Sequence, residues 1–279
     1  MIGINKKLCD FKTESVAEIA VFAEGEAMYR ARKSSKLATV CLSDIRRTLA
    51  ECGAPYDIYS ISDLELEKIN DYKLYIFVNQ YDMSVKTKTL IEEKCKKAGK
   101  TVLWLYAPDY ANNGNLDVSN ISKVSQINIS VSNDDNGGLV YSNTAYNYNL
   151  SAPYFYIDDT NSIPLANFEN GNIAAAYKEV NDYKSFYVAT ANLPSELLTD
   201  IARLAGVFVY SDNPKVYTYV NSSIIGVYNA TDNECVISLK EDCVYKDLIE
   251  GNIYLCKNGK LALPQKDINA YLLVKEEIE

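Results

Sequence analysis

"PYDIYSISDLE" (Pro55–Glu65), "DYKLYIFVNQYDMS" (Asp71–Ser84) and "KTVLWLYAPDY" (Lys100–Tyr110) decide how this chain folds. Between the last two, Leu90, Ile91, Cys95 and Ala98 form one helical stripe, opened by Ser84 as cap and closed by Gly99. The series is strand, turn, strand, helix, strand. "YKLYIFVN" is apolar almost throughout, as in a strand covered on both faces. The last strand runs into Tyr106-Ala107-Pro108-Asp109-Tyr110, a bend on which an enzyme of this layout would carry its nucleophile. That bend holds none, and the chain has no histidine to act as a base.

Upstream, "VAEIAVFA" (Val16–Ala23) is a short apolar strand, followed by a polar loop from Glu24 to Lys36. Leu42, Ile45, Leu49 and Cys52 then mark one helix face that Gly53 ends. Strands and helices alternating in this way imply right-handed crossovers and a parallel sheet wrapped by helices. Downstream, Asn113-Gly114, Asn136-Gly137-Gly138 and Gly171-Asn172 are turn signals. They separate "SQINISVS", "GLVYSN", "PYFYID", "IAAAYKEV" and "SFYVATA", which suit antiparallel strands added at one edge. Ser195 is expected to cap a helix through Leu197, Leu198, Ile201, Ala202 and Leu204 to Gly206, and "VFVYS" (Val207–Ser211) to be a strand.

From Asp212 no helical period survives. "KVYTYVN", "SIIGVYN", "CVISLK", "CVYKDL", "NIYLC", "KLALP" and "INAYLLV" are seven short strand candidates, with a hairpin turn at Asn258-Gly259. The expected fold is therefore α/β: a linker-like segment over residues 1–15, a parallel-sheet domain over 16–211, and a small all-β sandwich over 212–279.

A formal charge of −9 excludes a nucleic-acid surface, which needs clustered Lys and Arg. No stretch approaches the ~20 apolar residues of a membrane span. Seven cysteines, never spaced C-x-x-C, read as reduced small hydrophobes in a cytoplasmic protein. Without histidine or paired cysteines no metal site is expected, and without a Gly-rich phosphate loop no nucleotide or flavin cofactor. The 23 tyrosines suit strands, and also sugar sites or subunit contacts.

"GAPYDIYSISDL", "YKLYIFVNQ", "KTVLWLYAPDY", "PYFYIDD" and "LPSELLTDIARLAGVFVYSD", in that order, resemble the region behind the catalytic barrel of glycoside hydrolase family 42 and related β-galactosidase-like proteins. "CVYKDLIEGNIYLCKNGKLALPQKDINAYLLV" resembles the small C-terminal β-domain of many glycosidases. The resemblance implies a flavodoxin-like fold, akin to class I glutamine amidotransferases, that serves as a trimerisation domain. It also implies a (β/α)8 barrel elsewhere carrying the two catalytic carboxylates, a fold of about 250 residues for which this sequence has no room. The polar start reads like a linker, so the expectation is the C-terminal part of a larger hydrolase, with a stand-alone relative as the other possibility.

Amidotransferase chemistry is unsupported: the turn Leu105-Tyr106-Ala107-Pro108 lacks Cys, Ser and Gly, and Pro108 has no N–H for an oxyanion. Asp158-Asp159 read as turn residues rather than a glycosidase pair. No catalytic residue is assigned. In open α/β sheets ligands bind beyond the carboxyl ends of the strands. Here that edge presents Glu24, Glu26, Ser60 to Asp63, Gln80 to Asp82, and Tyr106 to Tyr110. Tyr81, Asp82, Tyr106, Asp109 and Tyr110 are the candidates, either for gripping a sugar, for meeting another subunit, or for covering the mouth of a barrel. "YSNTAYNYNLSAPYFY" (Tyr141–Tyr156) reads as structural edge strand. The sequence thus points to a homo-oligomeric, non-catalytic assembly module, with a stand-alone carbohydrate-binding protein as the rival.

Overall fold

The computed structural model describes residues 11–30, 36–148 and 150–276. Cys9 and most of the linker-like segment lie outside them. Strands β1 (Ile19–Ala23), β3 (Leu74–Phe77) and β4 (Thr101–Leu105) form where apolar, β-branched and aromatic residues run without a break, and β2 (Tyr56–Ser60), at the edge of the sheet, mixes them with Asp57 and Ser60. Helix α1 (Ile45–Glu51), entered through a π-helical turn at Thr39–Asp44, links β1 to β2. Helix α2 (Val85–Lys94) links β3 to β4, and the Ser84 hydroxyl accepts from Thr87 N–H at 3.0 Å as its cap. Ile91 and Cys95 are buried as expected, but Ala98 lies beyond the helix and is exposed.

Past β4 the chain holds a helix that its Ser- and Asn-rich sequence hides, α3 (Val118–Ser125). Asp117 caps it, and Ile121 and Val124 are its buried face. Strands β5 (Ile129–Ser132), β6 (Leu139–Tyr141), β7 (Thr144–Tyr146), β8 (Tyr154–Ile157), β9 (Ile163–Phe168) and β10 (Ile173–Val180) follow, then β11 (Tyr183–Val188). The main path of the large sheet runs β2-β1-β3-β4-β11-β10-β9-β6-β7, with the β5–β8 pair joining through β10. From β2 to β11 all pairings are parallel; from β11 onward they are antiparallel.

One row of registered residues crosses all five parallel strands: Tyr59, Phe22, Phe77, Trp104 and Tyr187. Phe77 stacks on Trp104 at 4.6 Å and on Phe22 at 5.3 Å, and Phe22 on Tyr59 at 5.6 Å. Such contacts add about 0.5–1.5 kcal/mol each beyond the area they bury. Much of the aromatic content is therefore spent on the core.

Helix α4 (Ser195–Leu204) buries Leu197, Leu198, Ile201 and Ala202. Ser195 does not cap it: Pro194 stands at that position, and Ser195 is the first helical residue. "VFVYS" is not a strand either. β11 already holds the fifth parallel place, so Val207–Ser211 runs as an extended connector whose backbone groups are satisfied individually. Phe208 N–H donates to Glu18 Oε2 at 2.8 Å, and Tyr210 N–H to the Gly53 carbonyl at 2.7 Å. Gly53 adopts φ +72°, and a Cβ there would sit 1.9 Å from the Ser211 carbonyl oxygen, so only glycine fits.

Beyond the connector the seven expected strands all form: β12 (Val216–Val220), β13 (Ile224–Asn229), β14 (Cys235–Ser238), β15 (Val244–Asp247), β16 (Ile253–Leu255), β17 (Lys260–Leu263) and β18 (Ala270–Lys275). They make an antiparallel five-stranded sheet, β12-β13-β18-β15-β16, and a two-stranded ribbon, β14-β17. Asn258 and Gly259 take the left-handed conformations of a tight reversal. Two hydrophobic cores result, one from Ile19 to Val207 and one from Tyr210 to Leu273. Glu18 fastens them, accepting from Phe208 N–H, from Lys73 at 3.1 Å and from Lys240 at 3.0 Å. Burial opposes its charge, yet the Phe208 N–H and the two ammonium groups hold its carboxyl below the ordinary value. The described end of the N-terminal segment also joins the β part: Ser15 bridges Asn221, and Ser222 and Ser223 donate to the Lys12 carbonyl.

Candidate functional site

At the carboxyl edge of the parallel strands the chain's own polar groups pair with one another. Between β1 and β3, where the strand order reverses and α/β folds open their ligand crevice, Asn79 fills the gap. Its side-chain oxygen accepts from Glu24 N–H at 2.7 Å and its amide donates to the Glu24 carbonyl at 2.8 Å. Gln80 donates to the Phe22 carbonyl at 3.3 Å. These two buried amides in "FVNQ" were visible in the sequence as polar residues ending an apolar strand. Ser60 and Asp63, also on this edge, cap a 3-10 turn at Ile61–Glu65.

The bend after β4 is zipped to the loop after β3. Asp109 N–H donates to the Gln80 carbonyl at 2.7 Å, and Ala111 N–H to that of Tyr81 at 2.8 Å. Tyr106 (φ +62°) and Asp109 (φ +59°) both adopt left-handed backbone conformations, as a sharp elbow requires. Asp109 is 2% exposed and fully engaged: it accepts from Met83 N–H at 3.0 Å, from Lys88 at 2.8 Å, and from Asn112 at 2.9 Å. It serves as a clamp on the elbow.

Tyr81 and Tyr106 are buried and meet edge to face at 6.3 Å; Phe155 packs on Tyr106 at 5.3 Å and on Tyr110 at 5.1 Å. The Tyr106 hydroxyl donates to the Pro153 carbonyl at 2.8 Å. The Tyr81 hydroxyl is buried without a hydrogen-bond partner among the described residues. Burial pushes both phenols well above their usual pKa. Asp82 and Tyr110 are half-buried. The five candidates thus come together, with Tyr81, Tyr106 and Asp109 inside and Asp82 and Tyr110 at the rim. The cavity beside Tyr106 and Phe155 is about 40 Å³, room for roughly one water, and a second, about 220 Å³, is lined by Met83, Lys88, Trp104 and Asp109.

Asp159 is buried, but the Asn128 and Asn161 N–H groups and Lys178 overcome burial and hold its carboxyl below the ordinary value. Asp158, by contrast, is exposed. Glu18, Asp117, Glu241 and Asp242 are displaced downward as well. A glycosidase acid needs the opposite displacement. Burial raises the Cys52 and Cys235 thiols to about 11, so both are inert hydrophobes. Among the described residues no group of His, Cys, Asp or Glu is placed to hold a metal, and no helix is long and apolar enough to cross a membrane. A larger cleft, about 370 Å³, runs beside Phe11, Val16, Tyr210, Val220 and Val274, and its Lys240 and Lys275 are paired with Glu18 and Glu241.

What the carboxyl edge does present is apolar surface. Tyr29 (89% exposed), Val85 (77%) and Leu116 (68%) follow β1, β3 and β4 on that side.

No protein-family model matches the chain, and no curated protein does. Solved structures do. A catalytic mutant of a GH42 β-galactosidase from G. stearothermophilus is similar at TM-score 0.65 and 15% identity, over 94% of this chain and 40% of that one. A β-galactosidase from Bacillus circulans sp. alkalophilus is similar at TM-score 0.63 and 15% identity, over 95% and 42%. An α-L-fucosidase from Paenibacillus thiaminolyticus is similar at TM-score 0.57 and 13% identity, over 98% and 50%. Nearly the whole chain therefore has the fold of a part of GH42 β-galactosidases, and it spans only about two fifths of their length.

Proposed function

We propose that this chain is a non-catalytic assembly module of a β-galactosidase-like glycoside hydrolase. The observation that carries this reading is the pairing of a near-complete fold match with an elbow that carries no nucleophile. The β-galactosidase neighbours match 94% or more of this chain, while Asn79 closes the crevice between β1 and β3 and the elbow at Tyr106 holds no nucleophile. The strand order β2-β1-β3-β4-β11 is that of flavodoxin-like sheets, which supports the finer fold assignment. Six free cysteines among the described residues, five of them buried, fit a reducing cytoplasm.

Self-association would use the exposed apolar residues that follow β1, β3 and β4, Tyr29, Val85 and Leu116, together with the rim residues Asp82 and Tyr110. The family resemblance puts the copy number at three and the catalytic partner in a (β/α)8 barrel. Burying such a patch between copies is ordinary interface chemistry. Sedimentation velocity tests it: the chain should run as an oligomer, and Val85→Asp with Leu116→Asp should give monomers that keep the far-UV spectrum. A monomer at high concentration would sink the reading. The isolated chain should not turn over a nitrophenyl galactoside.

A further inference from the structure

The outer face of the five-stranded sheet carries an aromatic patch that the assembly reading leaves unused. Alternate residues of β12 and β13 point away from the second core, as the two-residue strand period demands. On this face Tyr217 lies directly opposite Tyr228, and Tyr219 opposite Gly226. The Tyr217 and Tyr228 rings are nearly parallel, 6.1 Å apart and 27° from coplanar. Tyr219, on the edge strand β12, is 66% exposed and Tyr228, on β13 beside it, 51%.

Gly226 is the second observation. Its φ does not lie in the left-handed region, and a Cβ built there meets only the Tyr219 carbonyl oxygen and Cβ, at 3.5 and 3.6 Å, ordinary contact distances. Neither backbone conformation nor packing demands glycine at this position. A glycine inside a strand costs about 0.5–1 kcal/mol relative to alanine, and such a residue often marks where a ligand approaches the sheet. Here it leaves an open notch beside the most exposed ring. At the rim, the Tyr217 hydroxyl donates to Glu51 at 3.5 Å, and Glu51 also accepts from Arg47 at 2.8 Å.

We propose that Tyr217, Tyr219 and Tyr228, arranged around the Gly226 notch, bind the pyranose rings of a neutral saccharide. A pyranose offers a C–H face to stack on tyrosine and hydroxyls for the phenols, Glu51 and Arg47 at the margin. The opposite end of the sheet makes the contrast clear. There β16 exposes Ile253 and Leu255, aliphatic groups with no polar tips, suited to contact between proteins. The tyrosine end has the mixed character of a sugar platform.

Calorimetric titration of the full chain with lactose, cellobiose and maltose tests this. At least one should bind with Kd near or below about 1 mM, and Tyr219→Ala should weaken it at least about tenfold. Gly226→Val should weaken it similarly while leaving the thermal midpoint unchanged or higher, which separates notch filling from misfolding. Absence of saturable heat with all three sugars, or binding unchanged in both variants, overturns the proposal. So does loss of self-association in Tyr219→Ala with no change in sugar binding, which would make the face a contact between copies. Sedimentation of the same samples reports on the assembly reading independently.

Discussion

The carboxyl edge of the large sheet and the outer face of the five-stranded sheet are both rich in tyrosine, and they use it in opposite ways. At the edge, Tyr81 and Tyr106 turn their rings inward, packed on one another, with Phe155 against Tyr106. On the outer face, Tyr219 and Tyr228 present theirs to solvent. The edge is the place where its fold class ordinarily binds ligands, yet Asn79 and Gln80 close the crevice between β1 and β3, and Asp109 spends its carboxylate on the loop after β3. Fold class thus points to a location, and local hydrogen bonding decides whether anything can enter it.

The largest test of this contrast lies in the aromatic row. Phe77→Ala, removing a ring stacked on both sides, should cost about 3–5 kcal/mol, whereas Tyr219→Ala should stay within about 0.5 kcal/mol, both read from urea unfolding. Equal effects would erase the distinction between buried and displayed aromatics. Next, Asp109→Ala should cost about 1.5–3 kcal/mol, because Met83 N–H, Lys88 and Asn112 all lose their acceptor. A neutral result would mean that the elbow holds its shape without the clamp. Gly226→Ala should stabilise by about 0.5–1 kcal/mol, and a loss would show that the notch is structural.

The smallest effect is that of pH at the joint between the two cores. The folded pKa of Glu18 lies below its ordinary value, so its contribution is present above the unfolded pKa and fades as pH falls through the depressed folded one. Stability should therefore decline below the usual carboxylate range, and Glu18→Gln should flatten that decline in urea midpoints measured from pH 7 to pH 3. Asp159 contributes in the same direction.

Much of the architecture was legible because its signals are local. "YKLYIFVN" and "TVLWLY" announce strands buried on both faces; Ser84 and Gly53 mark where helices begin and end; seven short alternating runs announce the β part. The α3 helix was not legible, since Val118, Ile121 and Val124 sit among serines and asparagines that read equally as a turn. "VFVYS" misled for the opposite reason. It has strand composition, but strand formation needs an open neighbour, and β11 already occupied that place.

The candidate site divides in the same manner. That the bend after β4 lacks a nucleophile, and that no histidine exists to activate one, follows from residue identity and needs no coordinates. Which tyrosines face inward, and that Asp109 is a clamp rather than a rim charge, depends on loops brought together from distant points of the chain: Met83 and Lys88 around Asp109, Pro153 and Phe155 around Tyr106. Residue types limit what chemistry a chain can perform. Burial and hydrogen-bond pairing, which arise only when separated segments meet, settle which of those groups remain free to meet anything else.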